Sequence, residues 1–226
     1  MTNNGKFNHC LVEALAKEIA YFQKQGKEFV IVSSGAVGIG KTISKSENKC
    51  LLATIGQSKM MHYYKHCFEK VNLNVSQLLL TKNHFLEEQE HIKDLLNNSI
   101  ESKIITIINE NDGIAKLHNT FGDNDLLSAR ICNLINADLQ ILLTNVDGIY
   151  KNKNKEVLKY SQSFEELNNL IYDEKSTLGT GGMQSKIRSA QIASNSRTKT
   201  IIANGNQNNL LNNIFQGKNG TILNLK

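Results

Sequence analysis

The chain has 226 residues, is 40% hydrophobic, and carries 26 basic and 21 acidic residues for a formal net charge of +5. That length is the upper end of a single α/β domain with a real core, and the dispersed charges contain no block of like sign such as marks a nucleic-acid tail. No apolar run approaches a membrane span and MTNNGKFNHC has no apolar signal region, so the sequence points to a cytoplasmic protein without membrane or nucleic-acid partners, its mild positive field suited to small anions.

Helical periodicity at Val12, Leu15, Ile19 and Phe22 predicts a first helix, and the apolar run FVIVSS (29–34) a buried strand opening into the glycine-rich stretch GAVGIG, read as a loop. A second helix is expected over 48–71, a strand over 75–81 (VSQLLLT), a helical stretch over 88–96 and a strand from Ile104 (IITIINE). A helix over 124–135 and the strand LQILLT (139–144) follow. Asp147-Gly148 is a tight-turn signal, with 156–160 as a short returning strand. The last third reads as a helix over 163–172, the loop STLGTGGMQSK, a helix to 194, the strand TIIAN, a helix over 208–215 and a final strand in GTILNL. Buried strands alternating with helices argue for an α/β fold with a mainly parallel sheet covered on both faces, in one domain over 1–226. Cys10, Cys50, Cys67 and Cys132 show no metal-ligand spacing and read as reduced core residues; His62 and His66, one helical turn apart without a third ligand, read as a solvated face.

In open α/β sheets ligands sit beyond the carboxyl ends of the strands, so polar or glycine-rich segments after buried strands are the places to look. Four stand out. Ser33-Ser34-Gly35-Ala36 and the glycines after it would let backbone N–H groups approach an anion, although the stretch matches neither dinucleotide nor P-loop spacing and a tight, closely packed turn explains it equally well. Asn109-Glu110-Asn111-Asp112 puts four polar side chains where a solvent turn needs one or two, and supplies acceptors for a substrate amine. Gly122-Asp123-Asn124-Asp125 precedes a helix; capping accounts for one of these residues, while two carboxylates flanking an amide suit an ammonium group or hydrated Mg²⁺. Gly179 to Lys186 is a glycine loop running into a helix with a lysine in its first turns, a position that opposes the helix dipole unless an anion binds there too.

Together VSSGAVGIG, LLATIGQSKM, SQLLLT, IINENDGIA, FGDNDLLSA, LLLTNVDGIY and GTGGMQSK resemble, in order and spacing and over nearly the whole chain, the glutamate 5-kinases of the amino acid kinase family. The resemblance implies a three-layer αβα sandwich, with glutamate and ATP in adjacent sites at the carboxyl edge of the sheet, and a transferase that phosphorylates the glutamate γ-carboxylate in the first step of proline biosynthesis. It places Ser34, Gly35, Ala36, Asn109, Asp112 and Asn124 on glutamate. Thr144, Asn145, Thr180, Gly181, Gly182, Met183, Gln184, Ser185 and Lys186 would lie on the nucleotide, with Lys186 neutralising the transferring phosphoryl group and Asp125 orienting the catalytic lysines. It further implies ATP as co-substrate with Mg²⁺, a homo-oligomer, and glutamate 5-phosphate reductase as a partner.

Three departures qualify the resemblance. The family begins with a strand carrying a lysine and then a glycine, whereas MTNNGKFNHC aligns with the segment just after it, and Lys6 precedes the first helix. Asn145 stands where a bacterial member has aspartate, and nothing after GTILNL corresponds to the PUA domain that many bacterial members append. Two other readings therefore stay open: a different acylphosphate-forming kinase, acting on acetylglutamate or aspartate, and a ligand-binding homologue without turnover.

Overall fold

The structure is a computed structural model describing residues 2–3, 6–115, 119–152, 154–172 and 182–225. The chain forms two compact units, Met1–Asn124 and Asp125–Lys226.

The first unit opens with a minimal antiparallel hairpin, β1 (Thr2–Asn3) against β2 (Lys6–Phe7), where the sequence suggested no strand. Helix α1 (His9–Gln23) follows. Asn8 caps it by accepting from the Leu11 N–H at 3.2 Å, and its buried residues Val12, Leu15, Ala16, Ile19 and Phe22 recur at helical spacing. Strand β3 (Val30–Val32) pairs in parallel with β5 (Ile105–Glu110), which pairs in parallel with β4 (Val75–Leu80), giving the order β3-β5-β4. All six residues of β5 are buried, as expected of a central strand with both faces covered. Helices α4 (Lys82–Glu87) and α5 (Gln89–Glu101) connect β4 to β5, with Thr81 capping α4.

The glycine-rich stretch after β3 is a helix, α2 (Ala36–Lys41), instead of the expected loop. Gly35 is its N-cap at φ 104°, a left-handed conformation that glycine adopts without steric cost. Gly40, and Gly56 on the facing helix, serve the crossing of α2 with α3 (Lys49–Glu69). A Cβ on Gly40 would stand 2.0 Å from the Leu52 carbonyl oxygen, and one on Gly56 only 1.8 Å from that of Ala36. The helices therefore pack backbone against backbone, and Gly40 of the glycine-rich stretch serves that packing. The cysteines need a similar correction: Cys67 and Cys132 are buried, but Cys10 and Cys50 are exposed, because they face outward at the starts of α1 and α3.

The second unit begins within α6 (Asn124–Ile135). Its sheet has the order β6-β8-β9-β7, formed by Leu139–Thr144, Lys199–Asn204, Thr221–Leu223 and Tyr160–Ser161. β6 runs parallel to β8, and β9 antiparallel to β8 but parallel to β7. Helices α7 (Phe164–Tyr172), α8 (Met183–Ala193) and α9 (Leu210–Phe215) complete the unit. Leu142, Leu167, Ile187, Ile202 and Leu223 lie in one buried cluster against which Met183 packs. The returning strand expected over 156–160 is reduced to an antiparallel bridge between Tyr150 and Val157, followed by β7. The α/β class with mainly parallel strands holds, distributed over separate sheets.

Candidate functional site

In the first unit the carboxyl end of β5 carries a buried amide cluster. Asn109, fully buried, donates its Nδ2 to Gln57 Oε1 on α3 at 2.8 Å, while its Oδ1 accepts from the Glu110 backbone N–H at 2.9 Å and from Asn124 Nδ2 at 3.0 Å. The backbone N–H of Glu110 can only donate, so it fixes the orientation of the Asn109 amide, and Asn109 in turn fixes its two neighbours. Two atoms are left over, Gln57 Nε2 and Asn124 Oδ1, both buried and without a hydrogen-bond partner among the described residues. Leaving a buried polar atom unpaired costs about 1–3 kcal/mol, so the cluster holds a donor at one end and an acceptor at the other at appreciable expense.

Carboxylates accompany the amides. Glu110 is buried and accepts the Phe121 N–H at 2.7 Å. Burial pushes its pKa up, the Phe121 hydrogen bond opposes this, and repulsion from Asp112 and Asp123 adds to the rise. Asp112, in the turn after β5, is also pushed up by burial. Desolvated carboxylates beside an amide acceptor suit an ammonium group, whose charge would relieve the repulsion. At the end of β3, Ser33 is buried against Tyr64, with Oγ and OH 2.8 Å apart; Ser34 is exposed and Ala36 is buried.

In the second unit Lys186 occupies the first turn of α8, and its Nζ is 2.6 Å from Asp125 Oδ2 in α6. Only 10% of the lysine side chain and 21% of the aspartate side chain are exposed. A polar network holds the aspartate's backbone: the Asp125 carbonyl accepts from Ser128 Oγ at 2.7 Å and from Ser189 Oγ at 2.6 Å. Gln140 on β6 donates to both serine oxygens, at 2.6 and 2.9 Å, and accepts from Thr200 Oγ1 at 2.9 Å. Gly182 is the N-cap of α8 and offers no side chain to the helix's first N–H groups. Met183 packs into the core, Gln184 is exposed and Ser185 is half-buried. Thr144 ends β6, with its carbonyl accepting from Gly205 N–H at 2.9 Å, and Asn145 is exposed beside it. Thr180 and Gly181 lie outside the described residues.

The site residues named from sequence thus fall into two groups: Asn109, Asp112 and Asn124 in the first unit, and Asp125 with Lys186 in the second. Sequence reasoning missed Gln57 and Gln140. Each had a readable signal, a polar residue on an apolar face: Gln57 between Ala53 and Met60 in α3, and Gln140 on β6.

The chain belongs to the amino acid kinase family, whose pattern it matches over residues 1–204. Within that family it is similar to glutamate 5-kinases. It is 35% identical to that of Thermoanaerobacter sp. over 95% of this chain and 62% of the relative, and 35% identical to that of Clostridium acetobutylicum over 97% of this chain and 88% of the relative. The chain therefore spans about three fifths of the length of some curated relatives and nearly nine tenths of others. Among solved structures, the carbamate kinase of Giardia resembles it with a TM-score of 0.67 at 18% identity, covering 95% of this chain and 90% of that one, a likeness of fold. No helix among the described residues is long and apolar enough to cross a membrane.

Proposed function

We propose that this protein transfers the γ-phosphoryl group of ATP to the γ-carboxylate of L-glutamate, forming L-glutamate 5-phosphate for proline biosynthesis. The observation that carries the phosphoryl-transfer part is the Lys186–Asp125 pair at the start of α8. Asp125 holds the lysine ammonium where the helix dipole alone would disfavour it, so the cation remains available to a phosphate without being exposed to water. The choice of glutamate rests on the similarity to glutamate 5-kinases and on the amide and carboxylate cluster at the end of β5.

A carboxylate is already a nucleophile at neutral pH, so no general base is needed and catalysis reduces to positioning and charge neutralisation. Asp112 and Asn124 would receive the α-ammonium group, and Ser34 and Gly35 a carboxylate. Thr144, Asn145, Gly182 and the first turn of α8 would lie on the nucleotide, with Lys186 stabilising charge on the transferring group. Mg²⁺ would enter as the nucleotide's counter-ion and would supply charge neutralisation on the phosphates, with phosphate oxygens and water as its main ligands.

The test is acylphosphate trapping: the protein, Mg-ATP and L-glutamate with hydroxylamine, followed as γ-glutamyl hydroxamate and ADP. Glutamate-dependent formation of both is expected, exceeding that with N-acetylglutamate, aspartate or carbamate. Greater turnover of one of those would reassign the substrate, and nucleotide binding without turnover on any of them would make the protein a ligand-binding homologue.

A further inference from the structure

Gln57 belongs to the amide cluster but to none of the segments that suggested a substrate. It sits on α3 with 8% of its surface exposed, in a row of buried residues running from Leu52 to Met60, where an apolar side chain would pack without an unpaired polar atom. Its Oε1 accepts from Asn109 Nδ2, and Nε2 is left as a buried donor without a partner among the described residues. At the opposite end of the same chain of hydrogen bonds, Asn124 Oδ1 is a buried acceptor without a partner among the described residues.

The two orphans are opposite in sense, and their sense is imposed by one backbone group, the N–H of Glu110. Flipping Asn109 would turn its Nδ2 toward that donor, and flipping Gln57 would turn a donor toward Asn109 Nδ2. The cluster is therefore polarised in one direction only. A bound molecule that satisfies both ends must bring an acceptor to Gln57 and a donor to Asn124. An amino acid does this with its carboxylate and its ammonium group. The terminal amide torsions of Gln and Asn are soft, so each outer atom can turn by a small angle while the central bonds hold.

We propose that Gln57 is a further substrate-positioning residue: Nε2 donates to a carboxylate oxygen of the bound amino acid, while Oε1 keeps Asn109, and through it Asn124, turned to receive the ammonium end. This deepens the glutamate assignment above and rests on it only for the identity of the amino acid. Gln57→Glu separates the two functions of the side chain, because its carboxylate still accepts from Asn109 but offers no donor and repels an anion. Gln57→Met removes both.

Thermal-shift and calorimetric titrations of the full chain with L-glutamate, L-aspartate, N-acetyl-L-glutamate and carbamate, with and without a non-hydrolysable ATP analogue, test the proposal. The wild type is expected to bind one of these, and Gln57→Glu to weaken that ligand at least about tenfold, or 1.4 kcal/mol, with nucleotide affinity unchanged. Gln57→Met should weaken the ligand similarly, and Gln57→Asn recover none of it because the shorter side chain does not reach. If the wild type binds aspartate but not glutamate and Gln57→Glu loses it, the role of Gln57 stands while the glutamate assignment falls. Unchanged amino-acid affinity in Gln57→Glu overturns the role and leaves the assignment intact. Failure of the wild type to bind any amino acid overturns both.

Discussion

Lys186 and Asp125, 61 residues apart in sequence, meet with Nζ and Oδ2 at 2.6 Å, and each is largely shielded from solvent. Removing one partner of such a pair leaves a poorly solvated charge without that counter-charge, whereas removing both leaves none.

Asp125→Ala and Lys186→Ala are each expected to destabilise the fold by about 3 kcal/mol, with Asp125→Ala/Lys186→Ala costing less than the sum of the single changes. Chemical denaturation of the four proteins gives the coupling energy. Additive losses would show that the two groups do not depend on each other. In turnover, Lys186→Ala should lose about 10²- to 10³-fold in kcat while glutamate affinity stays the same.

Asp112 and Glu110 yield a pH dependence with two opposite signs. Burial raises both carboxyls, so the folded chain keeps their protons to higher pH than the unfolded chain does. Their contribution to stability is therefore most favourable at low pH, and falls as pH climbs from the ordinary carboxylate range through the raised folded values. A bound ammonium group favours the ionised forms, so amino-acid affinity should rise across the same window. Melting temperature and glutamate Kd against pH check both, and Asp112→Asn should flatten both profiles and weaken glutamate binding at neutral pH.

Gly56→Ala is expected to destabilise the first unit by about 3 kcal/mol, since overpacking ordinarily costs 1–3 kcal/mol and here the obstacle is the carbonyl of Ala36, 1.8 Å from the new Cβ. For a chain of this size that is a fall of about 6–12 °C in Tm. Gly26→Ala is the control: nothing lies within 4 Å of its added Cβ, although its φ of +81° carries a smaller strain. Equal effects of the two would exclude close helix packing as the reason for glycine at 56.

Gln140→Leu should lower kcat with little change in glutamate affinity. The loss frees Ser128 and Ser189 to reorient around the Asp125 carbonyl, and so loosens the backbone that carries the partner of Lys186. Gln140→Glu keeps an acceptor for Thr200 but gives up the two donations, and should fall between the two. A kcat equal to wild type in Gln140→Leu would make the network a packing feature alone.

Most helices and strands were legible because their periodicity is local: α6 and β6 occupy the ranges expected of them, and α3 begins at its asparagine cap. α2 was not, because alternating small residues and glycine specify a loop by propensity, and only the partner helix makes them a helix. The same limit applied to the exposed Cys10 and Cys50, whose faces depend on what each helix packs against. Of the candidate site, INEND and GDND marked where polar groups cluster.

The sequence by itself determined the family, the α/β class and the identity of Asn109, Asp112, Asn124, Asp125 and Lys186 as the residues to examine, because these depend on residue type and order. Only the tertiary structure decided that Asp125 pairs with Lys186 across 61 residues, that Gln57 and Gln140 join the two clusters' hydrogen bonds, and that one backbone N–H sets the direction of the amide chain. Those outcomes rest on distances and on the counting of donors and acceptors among groups far apart in the chain, which residue order alone does not fix.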